Sequence, residues 1–250
     1  MPEGSNGWRI GLLLLGVSLA AGLVIAALIV SNTFERIKRA GEKITVKGYA
    51  EQPLDSDVGV WRGNLTRRAP SVTDAYAKLD ADSQRVLAFL RERVAGEADL
   101  KVGPVNMVTQ YEYNPQGAMT GRVAGYQLDQ SFEITSHDVA LIARIGREAS
   151  MLLSEGVELN SWPPQFFLSS LNEVKVRLLG AATQDARLRA QQFASNSGIE
   201  VGPLRSASQG VFQITQVNST ETADYGSYDT STIAKSVKAV VTIEYAVARP

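Results

Sequence analysis

The sequence predicts an α+β fold: antiparallel sheets covered by three amphipathic helices, preceded by one N-terminal transmembrane helix. Three observations predict it. Residues 10–30, IGLLLLGVSLAAGLVIAALIV, carry no charge. Several later segments alternate apolar and polar residues with a period of two, the signature of half-buried strands. Between them lie stretches with apolar residues at helical spacing. The plainest of these contains Ala182, Ala186, Ala190 and Ala194, which fall four apart and so share one helical face. A face that small lets a helix sit close on a sheet. Arg187, Arg189 and Gln191 point elsewhere. Ser197-Gly198 stops the helix, with Gly198 as a left-handed cap.

A chain of 250 residues suffices for one large domain or two small ones, and a hydrophobic fraction of 44% supports a sizeable core. The formal net charge is -1, so overall charge gives no case for binding nucleic acid. The absence of cysteine excludes disulfides, thiolate nucleophiles and thiolate metal sites. The one histidine is His137, at the start of a helix, and it has no second ligand to work with. An exposed first-turn histidine is the expectation there.

At about 1.5 Å per residue, a helix over 10–30 spans about 30 Å, the thickness of a bilayer core. The run is longer than the ~7–15 residues of a cleaved signal's apolar region. Ser18-Leu19-Ala20 resembles a cleavage site, but it lies inside the run. An uncleaved signal-anchor is the expectation, after a short tail over 1–9. Arg36, Lys38, Arg39 and Lys43 follow it and only Arg9 precedes it. That charge count taken alone points the large domain inward.

A linker over 31–42 leads to the folded domain, 43–250. Ile44, Val46 and Gly48 alternate with polar residues in a first strand. A turn at 52–57 and a second strand at 58–66 read as a hairpin with the first. Ser71, with Asp74 three residues on, caps a helix whose apolar face is Val72, Ala75, Tyr76, Leu79, Ser83, Val86, Leu87 and Leu90. Lys78, Asp82, Arg85, Arg91 and Glu92 lie off that face. Strands at 105–113 and 122–135 form a hairpin around 114–117. Ser136 caps a second helix, with Asp138 in its first turn and Val139, Ile142, Ala143, Gly146, Ala149, Leu152 and Leu153 inward. Trp162-Pro163-Pro164 sets the angle of a short strand at 165–168. Ser170 and Glu173 form a capping box that opens the third helix. Extended segments follow at 201–208 and 211–217, with Gly210 between them. The polar stretch 218–231 is long for a connection, hence either mobile or functional. The last strand, 236–248, has the cleanest alternation in the chain. Two βαββ-like halves meeting near Gly156 are an arrangement that this order allows.

The order of elements resembles the SIMPL-domain family. Three parts carry the resemblance: the opening strand 44–51, ITVKGYAE; Phe166-Phe167-Leu168-Ser169-Ser170 leading into a helix; and the run Asp185-Ala186-Arg187-Leu188-Arg189-Ala190, followed by Ala194, Gly198 and Gly202. The resemblance implies export to the periplasm or cell envelope and assembly into oligomers. It outweighs the charge count and places the large domain outside the cytoplasmic membrane. The family has no established catalytic residues, so none is carried over.

The leading functional expectation is a non-enzymatic envelope protein, held in the membrane by 10–30 and associating with copies of itself. It needs no cofactor, metal or nucleic acid. One alternative is a sensor with a ligand pocket between helices and sheet. Another is a hydrolase using Asp55 and Asp57, or Glu221 and Asp224.

Overall fold

The computed structural model describes residues 14–19, 22–31, 42–94 and 98–248. The expected tail over 1–9, the start of the apolar run at 10–13, its residues 20 and 21, and nearly all of the linker lie outside the described residues. Helix α1 (Leu14–Ser31) is long and apolar enough to cross a membrane, and none of that span is buried inside the protein. A signal sequence passes the same test. The remaining elements, in order, are β1 (Lys43–Asp55), β2 (Val58–Ala69), α2 (Val72–Arg93), β3 (Asp99–Tyr113), β4 (Met119–Ser136), α3 (Val139–Glu148) and α4 (Met151–Ser154). Then come β5 (Leu159–Ser161), β6 (Gln165–Phe167), α5 (Leu171–Asn196), β7 (Glu200–Gln209), β8 (Gln213–Gln216), β9 (Ser227–Tyr228) and β10 (Ala234–Ala248). The α+β class is as predicted, with mostly antiparallel sheets.

The chain divides into two compact units that interleave in sequence. One gathers Met1–Ala50, Leu179–Gly210 and Val240–Pro250; the other gathers Glu51–Leu178 and Val211–Ala239. Strands β1 and β10 and helix α5 contribute to both.

The larger unit holds a sheet ordered β3-β4-β2-β5, with β6 also paired to β2. The β3–β4 hairpin forms as expected, from Asp99 opposite Thr135 to Tyr113 opposite Met119. Helices α2 and α3 bury Leu79, Val86, Leu90, Ile142 and Ile145 with Trp61, Leu65, Phe132 and Ile134 of the sheet. Each such side chain contributes about 1.5–3 kcal/mol by leaving water. Trp61 is fully buried, and its Nε1 donates to Ser161 Oγ at 2.9 Å. Pro164 lies where a side chain on Gly146 would sit, 2.3 Å from that position, so this proline is packed against α3.

Four expectations are corrected in this unit. The first two strands do not form a hairpin: β1 pairs with β10, and β2 with β4. The corner between them spends its donors elsewhere, Ser56 N on Ile233 O at 2.8 Å and Asp57 N on Phe167 O at 3.0 Å. Asp82 faces inward, because Arg67 of β2 reaches it as a buried ion pair. Arg67 also donates to Glu158 at 2.8 Å and to Gly156 O at 2.6 Å. Val72 and Tyr76 are exposed in the first turn of α2, and Phe89 takes a core position instead. The N-cap of α3 is Asp138 rather than Ser136: Leu141 N donates to Asp138 Oδ1 at 2.9 Å, and Ser136 Oγ accepts from Asp138 N at 3.0 Å. The cap of α2 is Ser71, as predicted.

The polar stretch 218–231 is held at several points. Gln213 Nε2 donates to Ala223 O at 2.7 Å, and Lys238 Nζ donates to Ser219 O at 2.6 Å. Lys235 is fully buried; its Nζ donates to Asp229 O and Thr232 O, both at 2.6 Å, and lies 3.5 Å from Asp229 Oδ2. Burial pulls the Lys235 ammonium below the usual lysine range, against the opposing pull of Asp229. Burial also disfavours the Asp229 carboxylate. Donors from Ser231 and Thr232, with the charge of Lys235, outweigh that and hold the group far below the usual carboxylate range.

Candidate functional site

The smaller unit is built around the second half of α5. The alanine face predicted from the sequence is the packing face: Ala182, Ala186, Ala190 and Ala194 are all buried. A side chain on Gly48 of β1 would lie 2.0 Å from Ala182 O and 2.8 Å from Ala186 Cβ. Helix backbone therefore rests directly on strand backbone, which requires glycine on one side and alanine on the other. The polar neighbours lock that contact. Tyr49 N donates to Asp185 Oδ2 at 2.8 Å, and Arg189 Nε donates to the same oxygen at 2.8 Å. The Tyr49 amide, with Arg189 behind it, holds the Asp185 carboxyl below its ordinary range. The run Asp185-Ala186 and Arg189-Ala190 is thus a clasp between helix and strand. The helix ends as predicted, with Gly198 at φ 67°, Ile199 N on Ala194 O at 3.1 Å and Gly198 N on Ser195 O at 3.5 Å.

Beside the clasp lies a groove of about 580 Å³, within the range of ligand sites. One wall is a second stripe of α5, Leu179, Thr183, Arg187 and Gln191, again four residues apart. The floor is Val241, Ile243 and Tyr245 of β10, all buried. The far wall is β7, from Val201 to Leu204 and from Ala207 to Gln209. β7 pairs antiparallel with β10, with Leu204 opposite Tyr245 and Val201 opposite Val247. The register shifts there, at the Gly202-Pro203 interruption seen in the sequence. Arg187 is the one charged residue lining the groove, and it has no ion-pair partner among the described residues. Sequence reasoning set Arg187 and Gln191 aside as pointing away from the alanines. Their own four-residue spacing with Leu179 and Thr183 is the signal that marks a second face.

A different surface lies on the larger unit. The β3–β4 hairpin leaves Met107, Val108, Tyr113, Met119 and Val123 exposed, and β3 is the terminal strand of its sheet. Met107 and Val108 are adjacent and so project from opposite faces. A long apolar edge of this kind invites a partner.

The carboxylates considered for hydrolysis have other surroundings. Asp57 accepts from Ser169 N at 2.7 Å and from Ser169 Oγ, tying the β1–β2 corner to the start of α5. Burial opposes its ionisation, but the two Ser169 donors prevail and keep its carboxyl low. Asp55, Glu221 and Asp224 are exposed. His137 is exposed and its Nδ1 donates to Asp57 O at 2.9 Å. Among the described residues, no three His, Cys, Asp or Glu residues cluster as metal ligands would.

The low carboxyls make an acid prediction. Asp129 behaves like Asp57: burial opposes its charge, but Thr66, Gln127 and Asn64 donate to it and prevail. Asp57, Asp129, Asp185 and Asp229 all ionise at lower pH folded than unfolded. Their stabilisation is fully present above the unfolded value of about 4 and is lost as pH falls through the folded values. Tm measured by circular dichroism is expected to fall steadily below pH ~4. A Tm that stays level to pH ~2 would contradict this set of bonds.

Comparison with known proteins adds a family. The family model described as SIMPL, Protein of unknown function (DUF541), matches residues 44–245. No curated protein matches the chain. A crystal structure from Burkholderia cenocepacia, described as an amidohydrolase/peptidase, aligns at 16% identity and a TM-score of 0.26, covering 53% of this chain and 32% of that one. The chain thus spans about a third of that protein's length.

Proposed function

Because the chain belongs to the SIMPL family, whose function is unknown, we propose that it is a membrane-anchored, non-enzymatic interaction module that associates with copies of itself. The observation that carries this reading is the exposed apolar hairpin β3–β4. Its residues 102–111 are uncharged and lie between Lys101 and Glu112. Two copies laid antiparallel bring Lys101 of one against Glu112 of the other, with the apolar run buried between them. A net charge of -1 sets little repulsion against that approach. Helix α1 supplies the anchor, and family membership favours an extracytoplasmic domain over the charge count at the helix ends.

The cysteine-free chain allows a clean test with single reporters. In the Met107→Cys chain, a short bis-maleimide is expected to give a crosslinked dimer at high yield. A reporter at Tyr225, which is 99% exposed, is expected to react with a membrane-impermeant maleimide added outside intact spheroplasts. A Met107→Cys chain that stays monomeric after crosslinking would remove the hairpin from the account. Labelling of Tyr225→Cys only after lysis would reverse the orientation.

A further inference from the structure

The groove beside α5 stands on one face of its sheet. Val241, Ile243 and Tyr245 alternate along β10 and share that face. Their partners on β7 are Gln209, Ala207 and Leu204, and Val201 lies opposite Val247. Residues directly opposite across an antiparallel pair project to the same side. Val201, Leu204 and Ala207 fall three apart, a spacing that a regular strand divides between two faces. Two bulges in β7 undo that division. Gly202 and Pro203 together oppose Ala246, and Arg205 is an extra residue between the partners of Tyr245 and Glu244. A bulge bends its strand and re-aims side chains, and here all three apolar residues come to the groove side. Leu204 is nonetheless 58% exposed, so nothing within the chain covers this end of the floor. Helix α5 is held down on β1 at Gly48, and its second stripe stands beside the floor as a wall.

That wall carries the groove's one charge. Arg187 has no ion-pair partner among the described residues, and no carboxylate lines the groove. Asp185, two residues away, is engaged by Tyr49 N and Arg189. Gln191 lies one turn beyond Arg187 on the same stripe, so its amide can donate to the same anion. Toward the other end the stripe runs to Leu179, about 12 Å from Arg187 at the helical rise.

We propose that this groove binds an elongated monocarboxylate: its apolar body lies along Ile243, Tyr245 and Leu204, and its carboxylate pairs with Arg187. A mostly apolar pocket with few polar groups to fix orientation is the usual form of a small-molecule site. An unpaired guanidinium beside an apolar floor selects an anionic head on an apolar tail. The inference goes beyond self-association, which uses the hairpin of the other unit, and either can fail alone.

The test uses the full chain in phosphatidylcholine nanodiscs. The probe is decanoate carrying a photoreactive diazirine in its chain, with the label located by peptide mass mapping, so that probe dissolved in lipid is told apart by where it reacts. Saturable labelling within 179–191, 201–209 and 241–245 is expected. Unlabelled decanoate is expected to displace it, and decanamide, of the same shape without the charge, to do so about tenfold more weakly, the worth of a charge-assisted bond. Arg187→Gln is expected to make the two competitors equal. Thr183→Trp and Ala207→Trp fill the groove from opposite sides, and each is expected to abolish the label while melting as the wild type does. The proposal is overturned by no saturable labelling up to about 1 mM, by label confined to α1, by equal competition in the wild type, or by label that survives both tryptophans. It is equally overturned if phosphatidylglycerol displaces the label and decanoate does not, since the occupant is then a membrane lipid.

Discussion

Gly48→Ala is expected to destabilise the chain by about 3 kcal/mol or more, through a clash that no rotamer relieves. The added methyl would lie 2.0 Å from the backbone oxygen of Ala182, so α5 must lift from β1. Lifting it also strains the Tyr49–Asp185 bond of 2.8 Å. Native stability is only about 5–15 kcal/mol in all, so a loss of this size is expected to lower Tm by roughly 10 °C. Gly180→Ala is the matched control. It sits in the same helix with nothing within 4 Å of the added carbon. There the change is expected to stabilise by about 0.5–1 kcal/mol, from helix propensity alone. Thermal melts of the two variants, read side by side, check the clasp. Equal shifts of one sign would show that α5 and β1 are not in backbone contact.

Lys235→Met should produce a loss of similar size for the opposite reason. The methionine keeps the length and removes the donor. The carbonyls of Asp229 and Thr232 lose bonds of 2.6 Å, and the low Asp229 carboxylate loses its neighbouring cation. Breaking one side of a buried pair typically costs about 3–5 kcal/mol, because the other side is left uncompensated. Adding Asp229→Asn is expected to recover part of that loss. Chemical denaturation of the single and double variants measures it, and strict additivity would show that the pair is not coupled.

Much of this architecture is legible in the sequence where local pattern and packing agree. The alanine stripe of α5, the left-handed Gly198 and the β3–β4 hairpin follow from spacing and turn chemistry. So does the burial of Val237, Ala239, Val241, Ile243 and Tyr245 along β10. What is not legible depends on distant partners. Asp82 looks like a solvated residue until Arg67 meets it from another strand. Lys235, between Ala234 and Ser236, reads as an outward-facing charge at the start of a strand, yet the turn of 229–232 folds around its ammonium. The β1–β2 hairpin fails because the two strands find better partners far along the chain, β10 and β4. The groove shares this origin. Its helical wall has a visible period, but the floor and the far wall are β10 and β7, and no local pattern brings them to that stripe. The interleaving of the two units has no local signal either, since it arises where β1, α5 and β10 cross from one to the other.

Self-association through an exposed hairpin is the central claim, and mass is its most direct measure. Native mass spectrometry of the detergent-solubilised full chain is expected to give one discrete oligomer. The same chain carrying Met107→Asp and Val108→Asp is expected to run as a monomer with an unchanged circular dichroism spectrum, since both side chains are exposed. A wild-type chain that is monomeric across the accessible concentration range would contradict the account. So would an oligomer that keeps its mass when the hairpin carries both charges.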